Sequence, residues 1–158
     1  MAGSNIPSRG RRELLVTVIA IHITNGQKTL KVVRRRMRQV VRAIVRDAGI
    51  SVATISVAIV DDATIARLHR QFLNDPEPTD VLSFVLERSE DLLEGEVIVS
   101  ADTARTCAPR YNSTPEDELL LYVIHGTLHL VGYNDTTPRQ RTAMRRKEAE
   151  YLQDAKSV

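Results

Sequence analysis

Apolar residues recur along this chain in two rhythms. From about Thr29 to Ala48, Val33, Met37, Val40, Val41, Ile44 and Val45 fall at helical spacing, and Gly49 stops the pattern. Residues 13–23 and 52–60 are instead short runs rich in β-branched residues and read as strands. Asp61 or Asp62 can cap a short helix to about Phe72. The prolines of NDPEPTD mark a loop, VLSFVL is a third strand, ERSEDLLEGE an acidic loop, and EVIVS a fourth strand. Residues 101–110 read as helical, and a last helix runs from Pro138 to about Leu152 with Met144 and Tyr151 inward.

Between these lies a helix with clear end signals. Thr114 caps it, Pro115 occupies the first turn, and Glu116 and Asp117 favour its dipole. It extends to Leu130 and is apolar enough to be buried at the centre of the fold. The expected architecture is therefore α+β: one compact domain with a mixed sheet of about four strands, four to five helices, and a central helix bearing the candidate site.

That helix carries the chemistry. In HGTLHLVGYND, His125 and His129 are four apart, so both imidazoles project from one helical face. Gly132 can end the helix in a left-handed conformation, and Asp135 returns six residues after His129. The H-x3-H-x5-D spacing resembles zincin geometry with aspartate as third ligand. Three protein ligands with an open fourth position describe a catalytic metal site; hydrogen-bonded core histidines are the bland alternative. Gly126 stands where zinc peptidases carry a general-base glutamate, which disfavours a peptidase. The nucleophile expected here is a metal-bound water, with no side-chain base assigned. His22 and His69 have no partner at ligand spacing and read as ordinary strand or helix residues.

Charge changes the picture in one respect. Residues 1–50 hold eleven Lys or Arg against two acids, net +9, whereas residues 51–158 hold eleven against eighteen, net −7. Lys31, Arg35, Arg38, Arg42 and Arg46 form a basic stripe on the first helix, either a polyanion-facing surface or a solvated face. Residues 1–12 read as a disordered basic tail preceding one domain over 13–158. The single cysteine, Cys107, fits a reducing, cytoplasmic setting. RGRR followed by LLVTVIAI imitates a signal peptide, but reads better as a first strand, and no apolar run approaches membrane-spanning length.

These residues resemble the YbeY family of bacterial metal-dependent endoribonucleases. The family's HGxLHLxGYDH signature is met by HGTLHLVGYND, and PTDVLSF stands unchanged as residues 78–84. The GEVIVS strand, Met144 and Glu148 also resemble the family pattern. The resemblance implies a single-strand-directed endoribonuclease acting in 16S rRNA 3′-end maturation and ribosome quality control. Its partners would be ribosomal RNA and the ribosome or its small-subunit proteins, with no membrane.

The resemblance further implies one zinc ion per chain, held by His125, His129 and, in place of the usual third histidine, Asp135; Asn134 replaces an aspartate. An aspartate adds negative charge and leaves another divalent ion, iron or manganese, open. Family members commonly carry an arginine in a YRG-like segment, at a position that falls here on Leu73. Arg70, one turn earlier, is the candidate to reach the same cleft, or else an exposed surface arginine. Thr79 and Asp80 can satisfy backbone donors at the turn into the strand, and Val81, Leu82, Phe84 and Val85 would be core or cleft wall. Ser83 can line the groove or bond the backbone. Arg70, Thr79 and Ser83, with Arg35, Arg38 and Arg42, are thus the candidate substrate-binding residues. The competing class is a ribosome- or RNA-binding protein with a structural metal site and reduced or lost nuclease activity.

Overall fold

The computed structural model describes residues 16–74 and 79–157. Four strands form one mixed sheet in the order β1-β2-β4-β3, from β1 (Val18–Asn25), β2 (Val52–Val60), β3 (Val81–Arg88) and β4 (Leu92–Ser100). β1 and β2 are parallel, as are β2 and β4; β3 returns antiparallel to β4. The helices are α1 (Arg34–Asp47), α2 (Asp62–Leu73), α3 (Ala101–Cys107), α4 (Pro115–Leu130) and α5 (Pro138–Lys156), with a 3-10 turn at Ala108–Tyr111. The expected mixed sheet and number of helices are thus present. The tail at residues 1–12 lies outside the described residues.

Strand alternation sorts the core into two sides. Ala53, Ile55, Val57 and Ile59 of β2, with Leu93, Val97 and Val99 of β4, join Ile21 and Ile23 beneath α1, α4 and α5. Leu82 and Ile98 point the other way and pack with Ile65 of α2. α4 is the hub of the larger side: Leu119, Leu120, Val123, Ile124, Leu128 and Leu130 are all buried. A helix apolar over so much of its circumference has to lie inside the domain.

Several boundaries differ from the sequence reading, each for a local reason. β1 begins at Val18 and continues to Asn25, because its parallel register with β2 runs from Val52 to Ile59 and exposed His22 merely alternates with Ile21 and Ile23. α1 starts at Arg34 instead of near Thr29. The Gln27 side chain accepts hydrogen bonds from the backbone N–H of Thr29 and Leu30, holding a turn where helix was expected. The acidic loop shrinks to residues 89–91, because Glu94 and Glu96 alternate with buried Leu93 and Gly95 and so belong to β4. Pro109 converts the end of the 101–110 helix into a 3-10 turn, and α5 extends past Leu152 to Lys156.

Candidate metal centre

Both ends of α4 are built as the sequence indicates. Thr114 accepts a hydrogen bond from the Asp117 N–H at 3.1 Å, with Pro115 in the first turn. At the other end Gly132 takes φ +108°, Gly132 N donates to the His129 carbonyl, and Tyr133 N donates to the Leu128 carbonyl. This pair of bonds is a Schellman closure, and it turns the chain so that Asp135 comes back towards the helix.

The turn brings three donor atoms together. His125 Nε2 and His129 Nε2 are 3.0 Å apart, and Asp135 Oδ2 lies 3.2 Å from His129 Nε2 and 3.4 Å from His125 Nε2. Ligands about 2.0–2.1 Å from a tetrahedral zinc ion sit roughly 3.3 Å from one another, so the triangle has the size such an ion requires. Three side chains that are all half-buried can therefore hold a metal ion.

The far nitrogen of each ring is already committed. His129 Nδ1 donates to the Tyr133 carbonyl at 2.9 Å, and His125 Nδ1 lies 2.5 Å from Glu148 Oε1 on α5. A proton on Nδ1 leaves Nε2 with a free lone pair, the form that binds metal, and a carboxylate behind the ring increases its basicity. Burial opposes the charged form of His125. The Glu148 hydrogen bond and the charges of Glu148, Asp135 and Asp80 outweigh it and hold the pKa above the ordinary histidine value.

Gly126 is explained by packing. A Cβ there would lie 2.6 Å from Val97 Cγ1 and 3.0 Å from Val81 Cγ2, so α4 rests directly on the sheet at this point. The position that holds a base in zinc peptidases faces the sheet and has no room for a glutamate.

The cluster opens into a cleft of about 520 Å³ between α4 and α5. Its lining includes Asp80, Glu118, Tyr122, Arg141 and Arg145, and Tyr111 stands at its rim, 71% exposed. Burial raises the Glu118 carboxyl pKa, with nearby Asp80 adding to the shift and Tyr122 opposing it. Burial likewise raises that of the Tyr122 phenol, reinforced by the charge of Glu118.

The other candidate residues lie away from this centre. Arg70 is exposed on α2, and Leu73 ends that helix 54% exposed; neither lines the cleft. The Thr79 hydroxyl donates to the Val81 carbonyl at 3.1 Å. The Asp80 carbonyl accepts from Ser100 N, and the residue also lines the cleft. Val81 is cleft wall, Leu82 is core, and Phe84 packs edge-on against Phe72, whereas Val85 is 49% exposed on the edge strand. Ser83 is half-buried on β3, on the same sheet face as Val81, but is not part of the lining. Arg35 and Arg42 are exposed on α1 and Arg38 is half-buried there. His22 is exposed on β1 and His69 is buried on α2.

Glu148, Tyr133 and Arg141 are the contributors that ligand spacing could not reveal. Glu148 and Arg141 lie on a different helix from the histidines, and Tyr133 acts through its backbone. A signal for Glu148 did exist, because Met144 and Glu148 are four apart and so share one face of α5.

The family model described as Endoribonuclease YbeY matches residues 22–156. An Endoribonuclease YbeY from Rhodopirellula baltica is 42% identical over 121 residues, covering 75% of this chain and 62% of that protein, so the match spans less than two thirds of its length. One from Syntrophotalea carbinolica is 36% identical over 135 residues, covering 82% and 90%. The solution structure of TM1509 from Thermotoga maritima superposes with a TM-score of 0.64 at 31% identity, over 85% of this chain and 88% of that one. The family match spans β2 to β4, the histidine helix and α5 without interruption, and the chain belongs to the Endoribonuclease YbeY family.

Proposed function

We propose that this chain is a single-strand-directed, metal-dependent endoribonuclease of the cytoplasm, acting in 16S rRNA 3′-end maturation and ribosome quality control through one domain over residues 13–158. The observation that carries this reading is the triangle of His125 Nε2, His129 Nε2 and Asp135 Oδ2, 3.0 to 3.4 Å on a side, at the end of an open cleft. Zinc suits two imidazoles and a carboxylate, and iron or manganese share that donor set. When bound, such an ion polarises a phosphoryl oxygen and lowers the pKa of water towards ~7.

The chain's own residues prepare that chemistry. Glu148 and the Tyr133 carbonyl fix both imidazoles with Nε2 facing the cluster. Arg141 Nη1 donates to the carbonyls of Asp135 and Thr136, which steadies the loop presenting the third donor. With Gly126 buried against the sheet, no side chain is assigned as base. No helix among the described residues is long and apolar enough to cross a membrane. Ribosomal RNA, the ribosome and its small-subunit proteins are the partners this reading supplies.

Leu73 and Asp135 favour a second reading, an RNA- or ribosome-binding protein whose metal site is structural and whose nuclease activity is reduced or lost. Leu73 cannot donate to phosphate, and an anionic ligand makes metal-activated water less acidic. Metal-analysed protein incubated with ribosomal RNA and with a peptide pool separates the possibilities. The nuclease reading expects cleavage of single-stranded RNA that disappears with chelator and in His129→Ala, with peptides untouched. Binding of RNA without metal-dependent cleavage establishes the second reading instead.

A further inference from the structure

Arg141, Met144, Arg145 and Glu148 follow one another at i, i+3, i+4 and i+7 on α5 and form one wall of the cleft that ends at His125 and Asp135. Their tasks differ. Met144 is buried in the core, and Glu148 is engaged with His125. Arg141 uses Nη1 on the carbonyls of Asp135 (3.4 Å) and Thr136 (3.1 Å), which leaves other donors of its five-donor fork available beside the cluster. Arg145 is exposed and makes no hydrogen bond or ion pair with any described residue, although it lines the same cleft one turn further on.

The carboxylates of the cleft are Asp80, Glu118, Asp135 and Glu148, and His125 stands at its end. A polyanion entering here meets permanent positive charge only at Arg141 and Arg145 of α5 and at a bound cation. On the rim stands Tyr111, 71% exposed at the end of the 3-10 turn. An exposed aromatic ring near arginines that can hold phosphate is an arrangement that stacks an unpaired nucleobase.

We propose that Arg141 and Arg145 hold a backbone phosphate adjacent to the scissile one, and that Tyr111 stacks an unpaired base of the same strand. The inference rests on the endoribonuclease reading and adds the path of the substrate: along α5, with the strand entering past Tyr111. A base paired and stacked within a duplex is not available to Tyr111, so this contact selects single strands.

The test is equilibrium anisotropy with zinc-loaded protein and a labelled, cleavage-resistant 2′-O-methyl single strand across a salt series. Arg145→Ala should weaken binding about tenfold and flatten the slope of log affinity against log salt by about 0.7, the loss of one phosphate contact on a single strand. Tyr111→Ala should weaken binding by about 5- to 100-fold, whereas Tyr111→Phe keeps it within about twofold, because the ring stacks and not the hydroxyl. Zinc content by elemental analysis should stay at the wild-type level in all three variants. If Arg145→Ala and Tyr111→Ala both bind like wild type, the strand lies elsewhere and the proposal is overturned. Metal-dependent cleavage by the wild type in that case leaves the endoribonuclease reading standing. Absence of both binding and cleavage in the wild type overturns the two together.

Discussion

Glu148 Oε1 lies 2.5 Å from His125 Nδ1, so a carboxylate on α5 decides which nitrogen of an α4 histidine faces the ligand cluster. The contact joins two helices through residues 23 positions apart in the sequence. It makes α5 part of the site, where Met144 and Tyr151 alone would have made it a cover for the core.

Glu148→Gln should therefore weaken metal binding while leaving the fold intact. Removing the carboxylate behind a metal-binding histidine typically costs about 10- to 100-fold in affinity. A competition titration against a calibrated chelator measures it. Affinity equal to wild type would mean that His125 is oriented by packing alone.

Gly126 offers a stability prediction. Gly126→Ala improves helix propensity by up to ~1 kcal/mol but drives a methyl group into Val97 and Val81. Overpacking a close contact of this kind typically costs about 1–3 kcal/mol, so a net loss is expected in urea unfolding. A more stable variant would show that α4 can lift off the sheet without penalty.

Tyr151 ties α5 to the end of α1, its hydroxyl donating to Asp47 Oδ2 at 2.7 Å. Burial raises its pKa, and the Asp47 hydrogen bond and charge raise it further. A raised folded-state pKa stabilises fully below the unfolded tyrosine value of about 10, and the stabilisation is lost as pH climbs above it. Tyr151→Phe should lose about 1–2 kcal/mol at pH 7, the worth of a partly exposed hydrogen bond to a charged acceptor. The gap to wild type should narrow above pH ~10, in unfolding curves taken at both pH values; a gap that widens with pH contradicts the assignment.

The basic face of α1 gives a prediction separate from the cleft. Arg42 Nη2 donates to the Ile19 carbonyl and Arg38 is half-buried, so only part of this charge is free for phosphate. Neutralising Arg35, Arg38 and Arg42 together should flatten the salt dependence of RNA binding by about one to two, less than three full contacts would give. An unchanged slope would identify α1 as a solvated face.

What the sequence disclosed was whatever local chemistry controls. Thr114, Pro115 and Gly132 bound α4 at the expected residues because caps and left-handed turns are decided within a few positions of chain. The pairing of His125 with His129 followed from helical period, and Asp135 from the turn that Gly132 permits. What stayed hidden depends on contacts distant in sequence or on side-chain capture of the backbone. Gln27 holding the N–H groups of Thr29 and Leu30 delays α1, and the pairing of Leu93 with Arg88 turns half an acidic loop into strand. The emptiness of position 126 was legible as a missing base; that Val97 and Val81 require it was not.

The endoribonuclease reading stands on one metal centre at the C-terminal end of α4, formed by His125, His129 and Asp135. Elemental analysis of purified wild type beside His129→Ala, with folding checked by circular dichroism, tests it most directly. About one divalent ion per chain is expected in the wild type, and near-background metal in a variant that remains folded, since packing holds α4 in place. A folded His129→Ala protein with full metal occupancy would contradict it.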